Sequence, residues 1–259
     1  WRDIERRLPL PPATLACPAA ASVSDLALVR HLEPIYPHLR NLMFTEMGLL
    51  TSFVPYRVLP SVAGFGTSRG ASHLHQGANG RGRRILVDVG TNGFHSSAKY
   101  LLDLYQPTQP FTEAVLFEPD PAAMGVPKEY TLQYNITRLR SFIGVGSRRP
   151  TSDVLVWLQH HARREDYVVL KFDVDEPTSG PTIEWGFLAD LYGHPALALV
   201  DELFIEMHFS WPPATCTNPR AVCADLRSFS WTGKPHSMQQ AYFVLAELRR
   251  CGVAVHAWP

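Results

Sequence analysis

Six short apolar runs, each closed by a polar residue or a glycine, alternate with segments of helical spacing from about residue 83 to the end of the chain. The first is Ile85-Leu86-Val87-Asp88-Val89-Gly90-Thr91-Asn92-Gly93, where an apolar strand runs into a carboxylate and then a glycine turn. Gly90 and Gly93 can take positive φ and let backbone approach a ligand, while Asp88 puts an acceptor at the carboxyl end of the strand. Ser96 and Ser97 open a predicted helix from Ser97 to Tyr105. Glu113 to Asp120 reads as a second buried strand ending in Glu118, its unbroken apolar run suiting a sheet covered on both faces. Tyr130 to Tyr134 and Arg140 to Gly146 supply a third strand region, and Val154 to Ala162 a helix. Tyr167 to Glu176 is the fourth strand, Thr182 to Tyr192 a helix and Asp201 to Phe209 the fifth strand. Met238 to Arg250 is strongly helical, and Gly252 stops it before a closing strand, Val253 to His256.

This alternation predicts an α/β chain with a Rossmann-like, doubly wound, mostly parallel sheet. The first 82 residues read differently and form an N-terminal extension and linker ahead of a domain at 83–259. An extended Pro- and Ala-rich arm, with Leu8-Pro9-Leu10-Pro11-Pro12, leads into short helices predicted at Asp25–Leu32 and Leu39–Leu50. Gly64 to Gly82 is the linker.

At 259 residues the chain suits one sizeable α/β domain with an extension. Its 24 basic and 24 acidic side chains balance, so no global basic field recruits nucleic acid. The cluster Arg81, Arg83 and Arg84 reads as part of a solvated linker. No apolar run is long enough to predict a membrane span. The start at Trp1 carries no signal-peptide pattern and no initiator methionine, and leads to the expectation that a targeting segment has been removed. The four cysteines, 17, 216, 223 and 251, show no zinc-ligand spacing. Cys216 and Cys223 are spaced for a loop disulfide, and Asn135-Ile136-Thr137 is an N-glycosylation sequon. Both features point towards a secretory lumen in the ER or Golgi, with a cytoplasmic or organellar address as the alternative.

Four successive strands end in acids: Asp88, Glu118, Asp173 with Asp175, and Glu206. In an open parallel sheet all carboxyl ends face one edge, so these acids should converge where ligands bind. Glu118 follows Asp88 by about one βαβ step, suiting an acid that accepts hydrogen bonds from both ribose hydroxyls.

On these residues the chain resembles S-adenosylmethionine-dependent methyltransferases, particularly the FkbM-like group. Leu86 to Gly93 is similar to that family's first motif, Leu116-Phe117-Glu118-Pro119 to its ribose-binding strand, and Leu170-Lys171-Phe172-Asp173-Val174-Asp175 to its "lKiDvEG" motif. The resemblance covers roughly residues 83 to 210, with Leu248-Arg249-Arg250-Cys251-Gly252 also similar. It implies a seven-stranded sheet binding S-adenosylmethionine. Asp88, Gly90, Asn92 and Gly93 would shape the methionine end of the pocket, Glu118 would hold the ribose, and Ile143 would border the adenine. Asp173 would face the donor sulfonium and the substrate. The chain departs from the pattern at Asp175-Glu176-Pro177, where the family has Glu-Gly, and residues 1–80 match no motif.

Methyl transfer is an in-line displacement, so the protein mainly aligns donor and acceptor and, for a hydroxyl acceptor, removes a proton. His208 lies two residues after Glu206, on the same strand face, and with Asp173 is a candidate catalytic group. Asp173, Asp175 and His208 are also a candidate set for Mg or Mn. His236 and His256 are further candidate contacts. The expected reaction is transfer of a methyl group to a hydroxyl of a glycan or other small polar acceptor. Two alternatives stand beside it. Asp173-Val174-Asp175 has the Asp-x-Asp form by which glycosyltransferases hold a metal and a sugar nucleotide. A non-catalytic binding protein would use the same fold with aromatic segments such as Phe209-Ser210-Trp211 as an interface.

Overall fold

The computed structural model describes residues 82–107, 110–120, 124–140, 154–174, 183–207, 244–249 and 251–258. The predicted extension and linker up to residue 81 lie outside them, as do Cys216, Cys223 and the aromatic segments beyond Met207. The strands are β1 (Arg84–Val89), β2 (Glu113–Glu118), β3 (Asn135–Arg140), β4 (Tyr167–Phe172), β5 (Glu202–Ile205) and β6 (Ala254–Ala257). They form one sheet of order β3-β2-β1-β4-β5-β6, and every pairing is parallel. The helices are α1 (Ser97–Tyr105), α2 (Lys128–Gln133), α3 (Val154–His161), α4 (Ile183–Gly193) and α5, described over 244–249, with a 3-10 turn at Pro195–Leu199. This is a Rossmann-like α/β arrangement. The sheet has six strands among the described residues, so the seventh that the resemblance implies is not among them.

Both faces of the central strands are buried, which explains their continuous apolar runs. Ile85, Val87 and Val89 of β1, Val168, Leu170 and Phe172 of β4, and Leu203 and Ile205 of β5 meet α3, α4, the 3-10 turn and α5 in one cluster. The alternate positions Leu86, Val169 and Phe204 pack with Ala98, Leu101, Leu102 and Tyr105 of α1 on the other face. That second face also carries the buried polar positions. Register aligns Leu116, Asp88, Lys171, Phe204 and His256 in one row across β2, β1, β4, β5 and β6. Alternation then puts Glu118, Gly90, Asp173, Glu206 and Trp258 in the next row, beyond the carboxyl ends of the strands.

The expected strand at Tyr130–Tyr134 is instead part of α2 and its cap. Two tyrosines four apart fit both periods, but Pro127 sits at the N-cap with extended φ and ψ and sets the helix start. Tyr130 and Tyr134 stack at 6.2 Å, and Phe94 packs edge-on to Tyr130 at 4.8 Å. The strand begins one residue after that cap, at the exposed Asn135. As an edge strand β3 is blunted by Arg138 and Arg140. The fifth strand ends at Ile205 rather than reaching Phe209.

Arg83, expected in a solvated linker, ties the opposite end of the sheet. Its guanidinium reaches Asp166 at 2.7 Å and Glu113 at 3.1 Å and donates to the His161 carbonyl. Arg84 donates to the Pro110 carbonyl.

Glu202 is buried at the start of β5 and accepts hydrogen bonds from Tyr105 at 2.5 Å and Tyr167 at 2.9 Å. Its other oxygen lies 3.2 Å from His256 Nε2. Burial raises the Glu202 carboxyl, but His256 and the two tyrosine hydroxyls outweigh it, so its pKa falls below the usual value of 4.5. A lowered carboxyl contributes stability that is present above the unfolded value and lost as pH falls through the folded one. Glu202→Gln is expected to lower stability at neutral pH by about 2 kcal/mol. The deficit should shrink on acidification below pH 4.5. Denaturant titrations of both proteins across that range check this, because the other acids cancel in the difference.

Candidate functional site

The site begins at the exit of β1. Gly90 has φ 73°, Asn92 φ 41° and Gly93 φ 99°, so the chain makes a left-handed turn between strand and helix. The turn is pinned from three sides. Gly90 N–H donates to the Phe117 carbonyl at 3.1 Å, and Asp173 N–H donates to the Val89 carbonyl at 3.1 Å. Ser96, at the N-cap of α1, turns its hydroxyl back to the carbonyls of Thr91 at 2.5 Å and Gly93 at 2.7 Å. A Cβ on Gly90 would stand 1.7 Å from the Asp173 carbonyl oxygen, so only glycine lets β1 and β4 leave the sheet this close together.

Glu118 ends β2 beside this turn and is 8% exposed. One carboxylate oxygen accepts from Asn92 N–H at 2.9 Å and the other from Asp120 N–H at 3.1 Å. Two backbone donors fix the plane of the carboxylate, and each oxygen keeps a lone pair for a ligand hydroxyl. The amides of Gly90 and Asn92 are thereby used on protein acceptors. A phosphate cradle needs such amides aimed outwards, and these two are not.

Asp88 lies one row deeper and is fully buried. Its Oδ2 accepts from Ser97 Oγ at 2.7 Å, and its Oδ1 faces Lys171 Nζ at 3.3 Å. Burial pushes the Asp88 carboxyl above its ordinary range, while the Lys171 ammonium and the Ser97 hydroxyl pull the other way. Asp88 is therefore a structural acid beneath the turn. Lys171 is 1% exposed and donates to the Gly90 carbonyl at 2.7 Å. It also pairs with Asp173 Oδ2 at 3.1 Å and lies 5.9 Å from the Trp258 ring centre. Asp173 is the most accessible of these groups, its side chain 23% exposed. Glu206 is buried at the exit of β5.

The structure thus brings Asp88, Gly90, Asn92, Gly93, Glu118 and Asp173 together at the carboxyl edge of the sheet. Ile143, Asp175, His208 and His236 lie outside the described residues, so Asp173 is the only placed member of the candidate metal set. His256 does not join the edge. It is fully buried, stacked on Phe204 at 4.4 Å and bonded to Glu202. Lys171 was missed in the sequence as a member of the site. The available signal was a lone lysine in the apolar run Tyr-Val-Val-Leu-Lys-Phe, two residues before an acid on the same strand face. A cavity of about 370 Å³ on the outer side of α1, lined by His95, Lys99, Asp103, Tyr130 and Tyr134 among others, includes none of the strand-end acids.

No family model, curated protein or solved structure matches the chain. Among the described residues no helix is long and apolar enough to cross a membrane.

Gly90→Ala is expected to destabilise strongly, because positive φ costs an L-residue about 1–2 kcal/mol before the clash with Asp173 is counted. Gly125, where a Cβ would meet nothing within 4 Å, is the control, and Gly125→Ala should be nearly neutral. Thermal melts of both variants test the assignment; equal melting temperatures would refute it.

Proposed function

We propose that this chain is an S-adenosylmethionine-dependent O-methyltransferase whose acceptor is a hydroxyl of a saccharide or other small polar molecule. The observation that carries the reading is Glu118, fixed by the Asn92 and Asp120 amides beside a left-handed glycine turn. A carboxylate so held is built to accept from a vicinal diol such as a ribose. The engagement of the turn amides by protein acceptors supports a phosphate-free ligand. Glu118 and Asp173 stand at the strand ends, where register sets Arg140 beside Glu118 and the Lys171 ammonium is buried between Asp88 and Asp173. A sugar nucleotide would bring a diphosphate to this edge, where the Gly90 and Asn92 amides are already engaged.

When bound, S-adenosylmethionine supplies an electrophilic methyl group on a positively charged sulfur. Glu118 holds the ribose, and the Gly90–Gly93 turn lets the ligand approach the backbone at the end of β1. Asp173 faces the reacting end, where its carboxylate orients an acceptor hydroxyl and attracts positive charge. Asp173 and His208 are the groups proposed to take up the hydroxyl proton.

Calorimetric titration of the chain with S-adenosylhomocysteine tests the reading. Saturable binding is expected, weakened at least about tenfold in Glu118→Ala, since a charged hydrogen-bond acceptor contributes about 1.5–3 kcal/mol. Circular dichroism should show that the variant is folded. Absence of binding by folded wild-type protein would overturn the proposal and favour the sugar-nucleotide or scaffold alternatives.

A further inference from the structure

Lys171 stands between Asp88 and Asp173 at the carboxyl edge of the sheet, and its ammonium is surrounded by oxygens. One donor goes to the Gly90 carbonyl at 2.7 Å. Asp173 Oδ2 is 3.1 Å away and Asp88 Oδ1 3.3 Å, with the Val89 carbonyl a further neighbour at 3.4 Å. Two carboxylates from adjacent strands and a backbone carbonyl are oxygen donors of the kind a Mg or Mn ion takes. The cation they surround here is covalently attached to β4.

We propose that the Lys171 ammonium is the resident counter-cation of this site, filling the position a divalent ion would need between Asp88 and Asp173, so that ligand binding here is independent of metal. The inference rests on the methyltransferase reading only for the identity of that ligand. Its physical basis is exclusion by charge and by space. A divalent ion bound to the same carboxylates would lie within a few ångströms of Nζ, and like-charge repulsion at that distance weakens binding by about a hundredfold or more. An ion between the two acids would also have to displace the Lys171 contact to Asp173 Oδ2. Lys171 is thus a positioning residue with two effects. It holds the Gly90 carbonyl and so fixes the turn, and it leaves Asp173 free on its exposed side for an organic ligand.

Electron paramagnetic resonance of Mn on the full chain tests this without any cofactor. The wild-type protein should leave the signal of the free aqueous ion unchanged. Lys171→Ala opens space between the two acids and is expected to capture one Mn ion, and adding Asp173→Asn should release it. Lys171→Arg keeps a cation and should stay metal-free. Calorimetry with S-adenosylhomocysteine should give the same affinity in chelator as in excess Mg. Mn bound by wild-type protein and lost in Asp173→Asn would overturn the proposal, as would S-adenosylhomocysteine binding that requires Mg, or a folded Lys171→Ala that gains no Mn. The wild-type measurements decide the matter even if the alanine variant does not fold. Wild-type protein that binds neither Mn nor S-adenosylhomocysteine would count against the cofactor assignment while leaving the metal-exclusion inference intact.

Discussion

The contact on which the site depends is the buried ammonium of Lys171, held between Asp88, Asp173 and the Gly90 carbonyl. Removing the Asp88 carboxylate from water is costly, and the Lys171 cation offsets part of that cost. The ammonium also bonds the exit of β1 to the exit of β4, where backbone already approaches so closely that Gly90 has no room for a Cβ. The left-handed turn, the start of α1 at Ser97 and the position of Asn92 under Glu118 all follow from the geometry fixed there.

The two faces of the sheet divide the work. The face covered by α3, α4 and α5 is apolar at each position of the central strands and supplies bulk burial. The face under α1 mixes apolar side chains with Asp88, Lys171, Glu202 and His256. Their partners come from other elements: Asp88 pairs with Lys171 of β4, and Glu202 with His256 of β6, Tyr167 of β4 and Tyr105 of α1. Parallel register puts Asp88 opposite Lys171 and sets His256 two positions on from the partner of Glu202, on the same face of the sheet. The row at the carboxyl ends holds Glu118, Asp173 and Glu206, with Arg140 in register beside Glu118.

That division also sets the two edges of the sheet apart. At the amino ends of the strands Arg83 is spent on Asp166, Glu113 and the His161 carbonyl, closing that side as structure. At the carboxyl ends Glu118 has fixed orientation with acceptor capacity to spare, and Asp173 keeps solvent access.

The sequence alone determined the alternation of strands and helices, because unbroken apolar runs and glycine exits are local signals read over a few residues. It located β1, its turn and α1 from Ile85 to Tyr105, and it placed Asp88, Glu118 and Asp173 at strand ends. It misjudged Tyr130–Tyr134, since a spacing of four satisfies helix and strand alike and the deciding feature was the cap at Pro127. Tertiary structure alone decided which strand ends are neighbours, and therefore which charges meet. Lys171 and the Gly90 carbonyl lie 81 residues apart in the chain, and His256 and Glu202 lie 54 apart. No local pattern carries pairings at that separation. They are set by the register of parallel strands, which made a lone lysine the centre of the site and turned a candidate histidine into a buried partner of Glu202.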